Sequence, residues 1–179
     1  MTRVSPAEAR RTTAPISGLA ECSGLELVAR LADGSIRRPS MAETLPFTLL
    51  PPEEGKVGLL AIPEPRFCNL TNTIHGGWIM TMLDAAMALA AQTTLSPAET
   101  SPSHETTAKF VRPIFVDSGE MRVIGHVVSR GRTVITLEGR IEDAGGRLHA
   151  HGASTCLIMS RRPWCPSSRS RVPRLTSAG

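Results

Sequence analysis

Residues 69–91 read NLTNTIHGGWIMTMLDAAMALAA. From Gly76 to Ala98 the only ionisable side chain is Asp84, and its neighbours are nearly all apolar. The run predicts a helix from about Gly77 to Gln92. It is apolar almost all round, so every side of it has to be covered. A carboxylate inside such a helix is costly unless it is paired or put to use. The rest of the chain can be read by asking what could wrap this helix.

Downstream, residues 104–115, 120–129, 132–142 and 147–159 are strand-like and are separated by the turn signals VDSG, SRGR and DAGG. Ile135, Leu137, Gly139 and Ile141 alternate with Val134, Thr136, Glu138 and Arg140, a period of two. Successive hairpins predict an antiparallel meander of these four strands. Upstream, PFTLLPPEEGKVGLLAIPEP reads as strands near 46–51 and 56–63 around a Glu-Gly turn. SGLELVARLADG, residues 23–34, has a helical pattern with Ser23 as cap and Gly34 as stop, and a short helix is expected around Ser40 to Thr44. The fold class expected is α+β, an antiparallel sheet of about six strands wrapped around one long central helix. One such sheet leaves the helix half open, so a second copy of the chain is expected to cover the rest. Residues 18–159 are read as one domain, flanked by disordered segments at 1–17 and 160–179.

Composition narrows the classes. A chain of 179 residues with 41% apolar content suits one globular domain. No apolar run reaches the ~18–20 residues that cross a bilayer; the nearest, Gly76 to Ala91, contains Asp84. No apolar segment follows the basic start MTRVSPAEARRTTAP, so no secretory signal is expected, and Glu8 argues against a transit peptide. Cys22, Cys68, Cys156 and Cys165 form no C-x-x-C pair, which suits a reduced, cytoplasmic protein. Cys68 is read as a small hydrophobe rather than a nucleophile. The net charge of +4 misleads: residues 160–179 carry five Arg and no acid, and without them 15 basic residues face 16 acidic ones. With no Tyr, and one of its two Trp in this tail, the chain lacks stacking platforms for single strands, and no nucleic-acid partner is expected.

Gly76 and Gly77 fall where the helix begins. A helix start offers unpaired N–H groups and partial positive charge, and glycine lets a ligand approach the backbone closely. That suits an oxyanion, where one donor is typically worth about 2.7–4 kcal/mol of barrier. A tight turn with a capping role is the alternative. For Asp84 the alternatives to function are a salt bridge or a backbone hydrogen bond. Gly76 and Asp84 are eight residues apart, about 12 Å along one helix. If both act on one carbonyl, the carboxylate has to come from a second subunit, across a twofold axis that sets two helices antiparallel. His149 and His151, with His126 as a third, could open a metal site, but an outward polar strand face fits their spacing better. Met80, Met82 and Met87 are read as filling the core or an interface.

The pattern Asn69-x6-Gly76-Gly77-x6-Asp84, followed by SHETTAKFVRP and the SRGRT turn, resembles the hotdog-fold acyl-CoA thioesterases, closest to the PaaI-like group related to 4-hydroxybenzoyl-CoA thioesterases. The resemblance spans about residues 23–159. It implies that the Gly76 amide polarises a thioester carbonyl, assisted by Asn69. It implies that Asp84, from the partner subunit, activates water or attacks directly, with Ser103 holding the water. His75 then orients the loop. Gly77, His104, Glu105 and Phe110 fall beside the substrate, and the turn Ser129, Arg130, Gly131, Arg132 and Thr133 meets the CoA portion. A solvated basic hairpin tip is the competing reading of that turn. The expected partners are an acyl-CoA substrate, aromatic or medium-chain, and further copies of the chain, as a homodimer at least and a homotetramer by resemblance. No membrane partner, metal or separate cofactor is expected. Two rivals remain: a hotdog dehydratase or hydratase, and a non-catalytic acyl-CoA-binding protein.

Overall fold

The computed structural model describes residues 21–39 and 41–161. Its helices are α1 (Gly24–Ala32), α2 (Met41–Thr44) and α3 (Gly76–Thr93). Its strands are β1 (Thr48–Leu49), β2 (Lys56–Ala61), β3 (Glu99–Thr100), β4 (Ser103–Phe110), β5 (Met121–Arg130), β6 (Val134–Glu142), β7 (Leu148–Leu157) and β8 (Met159–Ser160). The expected disorder of 1–17 and of 162–179, the start of the short helix at Ser40, and Cys165 lie outside the described residues.

The predicted helix forms and begins one residue early, at Gly76. It buries Trp78, Ile79, Met82, Leu83, Ala86, Met87, Ala90 and Ala91, while Met80, Thr81, Asp84, Ala85, Ala88 and Leu89 are half-buried. The sheet beneath it is six-stranded and antiparallel, in the order β1-β2-β5-β6-β7-β4. On β6 the period of two holds: Ile135, Leu137, Gly139 and Ile141 are buried and Thr136, Glu138 and Arg140 are exposed. Among the described residues no helix is long and apolar enough to cross a membrane.

The meander is corrected. Only β5, β6 and β7 follow one another as hairpins. β4 pairs with β7 instead of β5 and stands at the sheet edge. The VDSG signal marks a real turn, a 3-10 turn over Val116–Ser118 followed by Gly119 at φ 76°, but this turn ends a crossover. The crossover leaves β4 with Val111 and Arg112 N–H both bonded to His149 O, at 2.8 and 3.0 Å. It then inserts the fully buried Ile114, whose carbonyl accepts from Ile74 N at 2.8 Å. Turn chemistry is local and does not specify which strands pair across it.

Two further features position α3. Gly125, Gly139 and Gly152 face one another across β5, β6 and β7, with Val57 and Ala108 extending the row to β2 and β4. A Cβ on Gly125 would lie 2.4 Å from the Ala86 carbonyl carbon, so the helix backbone rests on this row. At the other end, α1 is capped by Ser23, whose Oγ accepts from Glu26 N at 3.2 Å, and buries Leu27, Val28 and Leu31. It docks through Gly24, whose N–H donates to Leu95 O at 2.8 Å and whose Cβ would fall 1.7 Å from Gln92 O. The short β3–β8 pair was not expected. It carries the described chain to Arg161, beyond the expected boundary at 159, where Arg161 N–H donates to Ala98 O at 2.7 Å and its guanidinium to Glu99 O.

Candidate active site

Asp84 is half-buried on α3 and makes no salt bridge among the described residues. Its Oδ1 accepts from Ser103 Oγ at 2.9 Å and from Thr106 Oγ1 at 3.2 Å. Oδ2 accepts no bond among the described residues, which leaves it open to a reacting proton. Thr106 Oγ1 also lies 3.0 Å from Ser154 Oγ, which donates to Glu105 O at 3.0 Å. Each hydroxyl has one proton, and an ionised carboxylate only accepts. Thr106 therefore donates to Asp84, and the one proton of Ser154 Oγ, on β7, is shared between Thr106 Oγ1 and Glu105 O.

Ser103 and Thr106 are three apart, so a regular strand would put them on opposite faces. A β-bulge between Ser103 and Glu105 corrects the phase and turns both hydroxyls toward α3. His104 is the bulged residue and is exposed, as is Glu105. Thr106 and Ser154 were missed from sequence because the bulge is invisible to a period of two; hydroxyls clustered in SHETT were the available signal. Beneath Ser103 lies the fully buried Cys156, Sγ to Oγ 4.0 Å. Burial pushes its thiol pKa up and the Asp84 charge adds to this, against hydrogen bonds with Ser103 and Ser154. It stays a protonated, inert thiol. Cys22 is buried and Cys68 half-buried.

At the other end of α3, His75 is the cap. Its Nδ1 accepts from Gly77 N at 2.9 Å, so a neutral His75 carries its proton on Nε2 and is committed to holding the turn. The Gly76 N–H donates to nothing among the described residues. A Cβ on Gly76 would meet the Phe110 ring at 3.1 Å. Gly76, Asn69, Ile79 and Phe110 line one cavity of about 270 Å3. Asn69 is fixed by its own loop: Oδ1 accepts from Thr71 N at 2.9 Å, Thr71 Oγ1 at 2.8 Å and Thr73 N at 3.2 Å, and Nδ2 donates to Thr73 Oγ1 at 2.8 Å. Asn72, at φ 58°, closes that loop. One Nδ2 hydrogen remains. His75→Ala is expected to cost about 1 kcal/mol, the usual value of a helix cap, read as a lowered denaturation midpoint.

The predicted site residues thus form two groups, Asn69 with Gly76 and Asp84 with Ser103, about 12 Å apart along α3. The SRGRT turn joins neither. Arg130 pairs with Glu99 at 3.2 Å, and the Glu99 carboxyl is held below the usual carboxylate range by hydrogen bonds from Ser96 and then by the Arg130 charge. Gly131 N donates to Val134 O and Thr133 O accepts from Ile158 N, both at 2.8 Å. Ser129 and Arg132 are exposed.

The outward His face is corrected at one position. His149 sits at the bulge between β6 and β7, which turns it inward and buries it. Its ring lies between Pro113 O at 3.1 Å and Asp143 Oδ2 at 3.2 Å. His151 and His126 stay exposed. Among the described residues no group of three or more metal-binding side chains forms.

Comparison with known proteins gives the same frame. The sequence model described as the thioesterase superfamily matches residues 71–150. A provisional esterase of Saccharolobus solfataricus is 31% identical over 108 residues, covering 60% of this chain and 74% of that protein. The structure of the E. coli PaaI protein, from the phenylacetic acid degradation operon, superposes with a TM-score of 0.67 at 17% identity, covering 77% of this chain and 96% of that one. A Streptococcus mutans protein bound to acetyl CoA superposes with a TM-score of 0.59 at 19% identity, covering 65% and 91%. With the superfamily match over residues 71–150 and the 31% identical Saccharolobus relative, the chain belongs to the thioesterase superfamily, and its six-stranded sheet under a long helix is the hotdog fold.

Proposed function

We propose that the protein is an acyl-CoA thioesterase of the PaaI-like kind, whose reaction centres are each built by two copies of the chain. The observation that carries this reading is the state of the two groups on α3. Among the described residues Asp84 is anchored through one oxygen and open through the other, and the Gly76 N–H at the helix start has no partner. The Streptococcus mutans neighbour, bound to acetyl CoA, makes a CoA thioester the substrate to test.

The chemistry needs no strong general acid, because a thiolate leaves readily. The Gly76 amide, with Asn69 Nδ2, stabilises the carbonyl oxygen as it gains charge. Asp84 Oδ2 takes a proton from water while the water oxygen bonds to the carbonyl carbon. The C–S bond then breaks, and CoA leaves as the thiolate and is protonated. In the other form of the reaction Asp84 attacks the carbonyl itself and water cleaves the mixed anhydride. A single turnover in H2-18O tests the second form: label in the Asp84 carboxyl, from water attacking the Asp84 carbon of the anhydride, identifies Asp84 as the nucleophile.

Gly76 and Asp84 lie about 12 Å apart along α3, so if both act on one carbonyl, Asp84 comes from a second copy. β4 is the edge strand, largely exposed, and Phe110 and Val111 at its end are 55% and 45% exposed. Two β4 edges pairing about a twofold axis would set the two α3 helices antiparallel and bring Asp84 of one toward Gly76 of the other. Thiol release from benzoyl-, phenylacetyl- and aliphatic acyl-CoAs tests the activity, and solution mass tests the dimer. Tight binding without turnover would replace this reading with a binding protein. Loss of water from a 3-hydroxyacyl-CoA without thiol release would replace it with a dehydratase. The cytoplasm, where CoA esters and reduced thiols coexist, is the compartment this reading assigns.

A further inference from the structure

A chamber of about 450 Å3 lies on the half-buried side of α3. Leu27 and Leu31 of α1, Leu45 and Phe47, and Ala85 and Ala88 of α3 form its walls. Arg38, the one guanidinium among its described lining residues, is held by a 2.6 Å bond to Phe47 O. Apolar enclosure of this size is typical of a small-molecule site.

The chamber adjoins the carboxylate. Thr81 and Ala88 line it, and they are the i−3 and i+4 neighbours of Asp84 on the helix surface. Ser101 and Pro102 line it too, and the next residue is Ser103, which holds Asp84. The far end is closed where α1 docks on α3, with Gly24 packed against the Gln92 carbonyl. Gln92 lines that end, and its Nε2 is buried with no partner among the described residues. The chamber therefore stops at Gln92.

We infer that this chamber holds the acyl chain of the substrate, with its carbonyl at Asp84, and that the closed end at Gln92 limits the chain to about ten carbons. The inference rests on the thioesterase reading above and chooses the aliphatic, medium-length class within it. Residues 84 and 92 are about 12 Å apart along the helix. An extended chain gains about 1.2 Å per bond, since three backbone bonds span ~3.6 Å. A benzoyl group would leave the Gln92 end unfilled, and a palmitoyl chain would overrun it.

Thiol release by the full chain from acetyl-, benzoyl-, decanoyl-, dodecanoyl- and palmitoyl-CoA tests this. Decanoyl-CoA should exceed acetyl-, benzoyl- and palmitoyl-CoA in kcat/KM by at least about tenfold, the order expected for methylenes placed in or denied an apolar pocket. Ala88→Phe should lower the decanoyl-to-acetyl ratio by about tenfold or more. Gln92→Ala, which removes an unpartnered amide and lengthens the chamber, should raise the dodecanoyl-to-decanoyl ratio, and it supplies the readout if Ala88→Phe does not fold. Equal rates for benzoyl- and decanoyl-CoA, or ratios unmoved by the substitutions, overturn the chamber while thioester hydrolysis stands. If no thioester is cleaved, the thioesterase reading falls, and sodium decanoate judges the chamber alone. Thermal protection of the wild type that Ala88→Phe or Gln92→Ala alters upholds an acyl site, and unaltered or absent protection overturns it.

Discussion

Asp84→Asn is expected to lower kcat for thioester hydrolysis by about 10²–10⁴-fold, the range of a general base, with little change in melting temperature. The geometry separates the two effects. Oδ1 is the atom held by Ser103 and Thr106, and an asparagine oxygen can accept the same two bonds at 2.9 and 3.2 Å. The fold therefore keeps its contact between α3 and β4. Oδ2, the open atom, becomes an amide nitrogen that cannot take a proton from water or attack a carbonyl. A purely structural Asp84 would tolerate this exchange with activity intact, so wild-type turnover by the Asn variant would remove Asp84 from the mechanism. Asp84→Ala should lose the activity and also leave the Ser103 and Thr106 hydroxyls without their acceptor, lowering stability by about 1 kcal/mol. Ser103→Ala keeps Thr106 as a donor to the same oxygen and should cost less activity than either. The measurement is thiol release under saturating substrate beside thermal unfolding of the same preparations.

Much of this site was legible because its parts are local. A lone carboxylate in an apolar helix, and glycines at the start of that helix, are read from adjacent residues, while the bond from Gly77 N to His75 Nδ1 that caps the helix came from the structure. The strand faces of β6 were legible for the same reason, since alternation is a property of one segment. What stayed hidden depends on pairing between distant segments. The bulge at His104 puts Ser103 and Thr106 on one side, and the bulge at His149 turns that ring inward; each is defined only against β7 or β6. The placement of β4 at the edge was misread because VDSG looks like a hairpin turn whichever strands it joins. Ser154 enters the site only because β7 lies beside β4. The chamber by α1 depends on how Gly24 docks on the end of α3, which no periodicity encodes.

The glycine row sets the height of α3 above the sheet, and Gly125→Ala is expected to destabilise the protein by about 3 kcal/mol or more, at the upper end of overpacking costs. The added Cβ would stand 2.4 Å from Ala86 C, 2.5 Å from Ala86 O and 2.6 Å from Met87 N. All three are backbone atoms of a helix packed in the core, so no rotamer change relieves them, and α3 has to lift from the sheet. Because α3 carries both Gly76 and Asp84, the lift should also lower turnover in whatever fraction remains folded. Gly139→Ala, its neighbour in the same row, is the control. Its Cβ would meet Met87 Cγ at 3.0 Å and Sδ at 3.2 Å, a flexible side chain that can move aside, and Ile124 O at 3.3 Å. Its cost should be nearer 1 kcal/mol, at the lower end of the same range. Native stabilities are about 5–15 kcal/mol, so the first substitution removes a large share of the total and the second a small one. Urea midpoints of the two variants decide it: similar midpoints would mean that backbone contact at Gly125 does not set the height of α3 above the sheet.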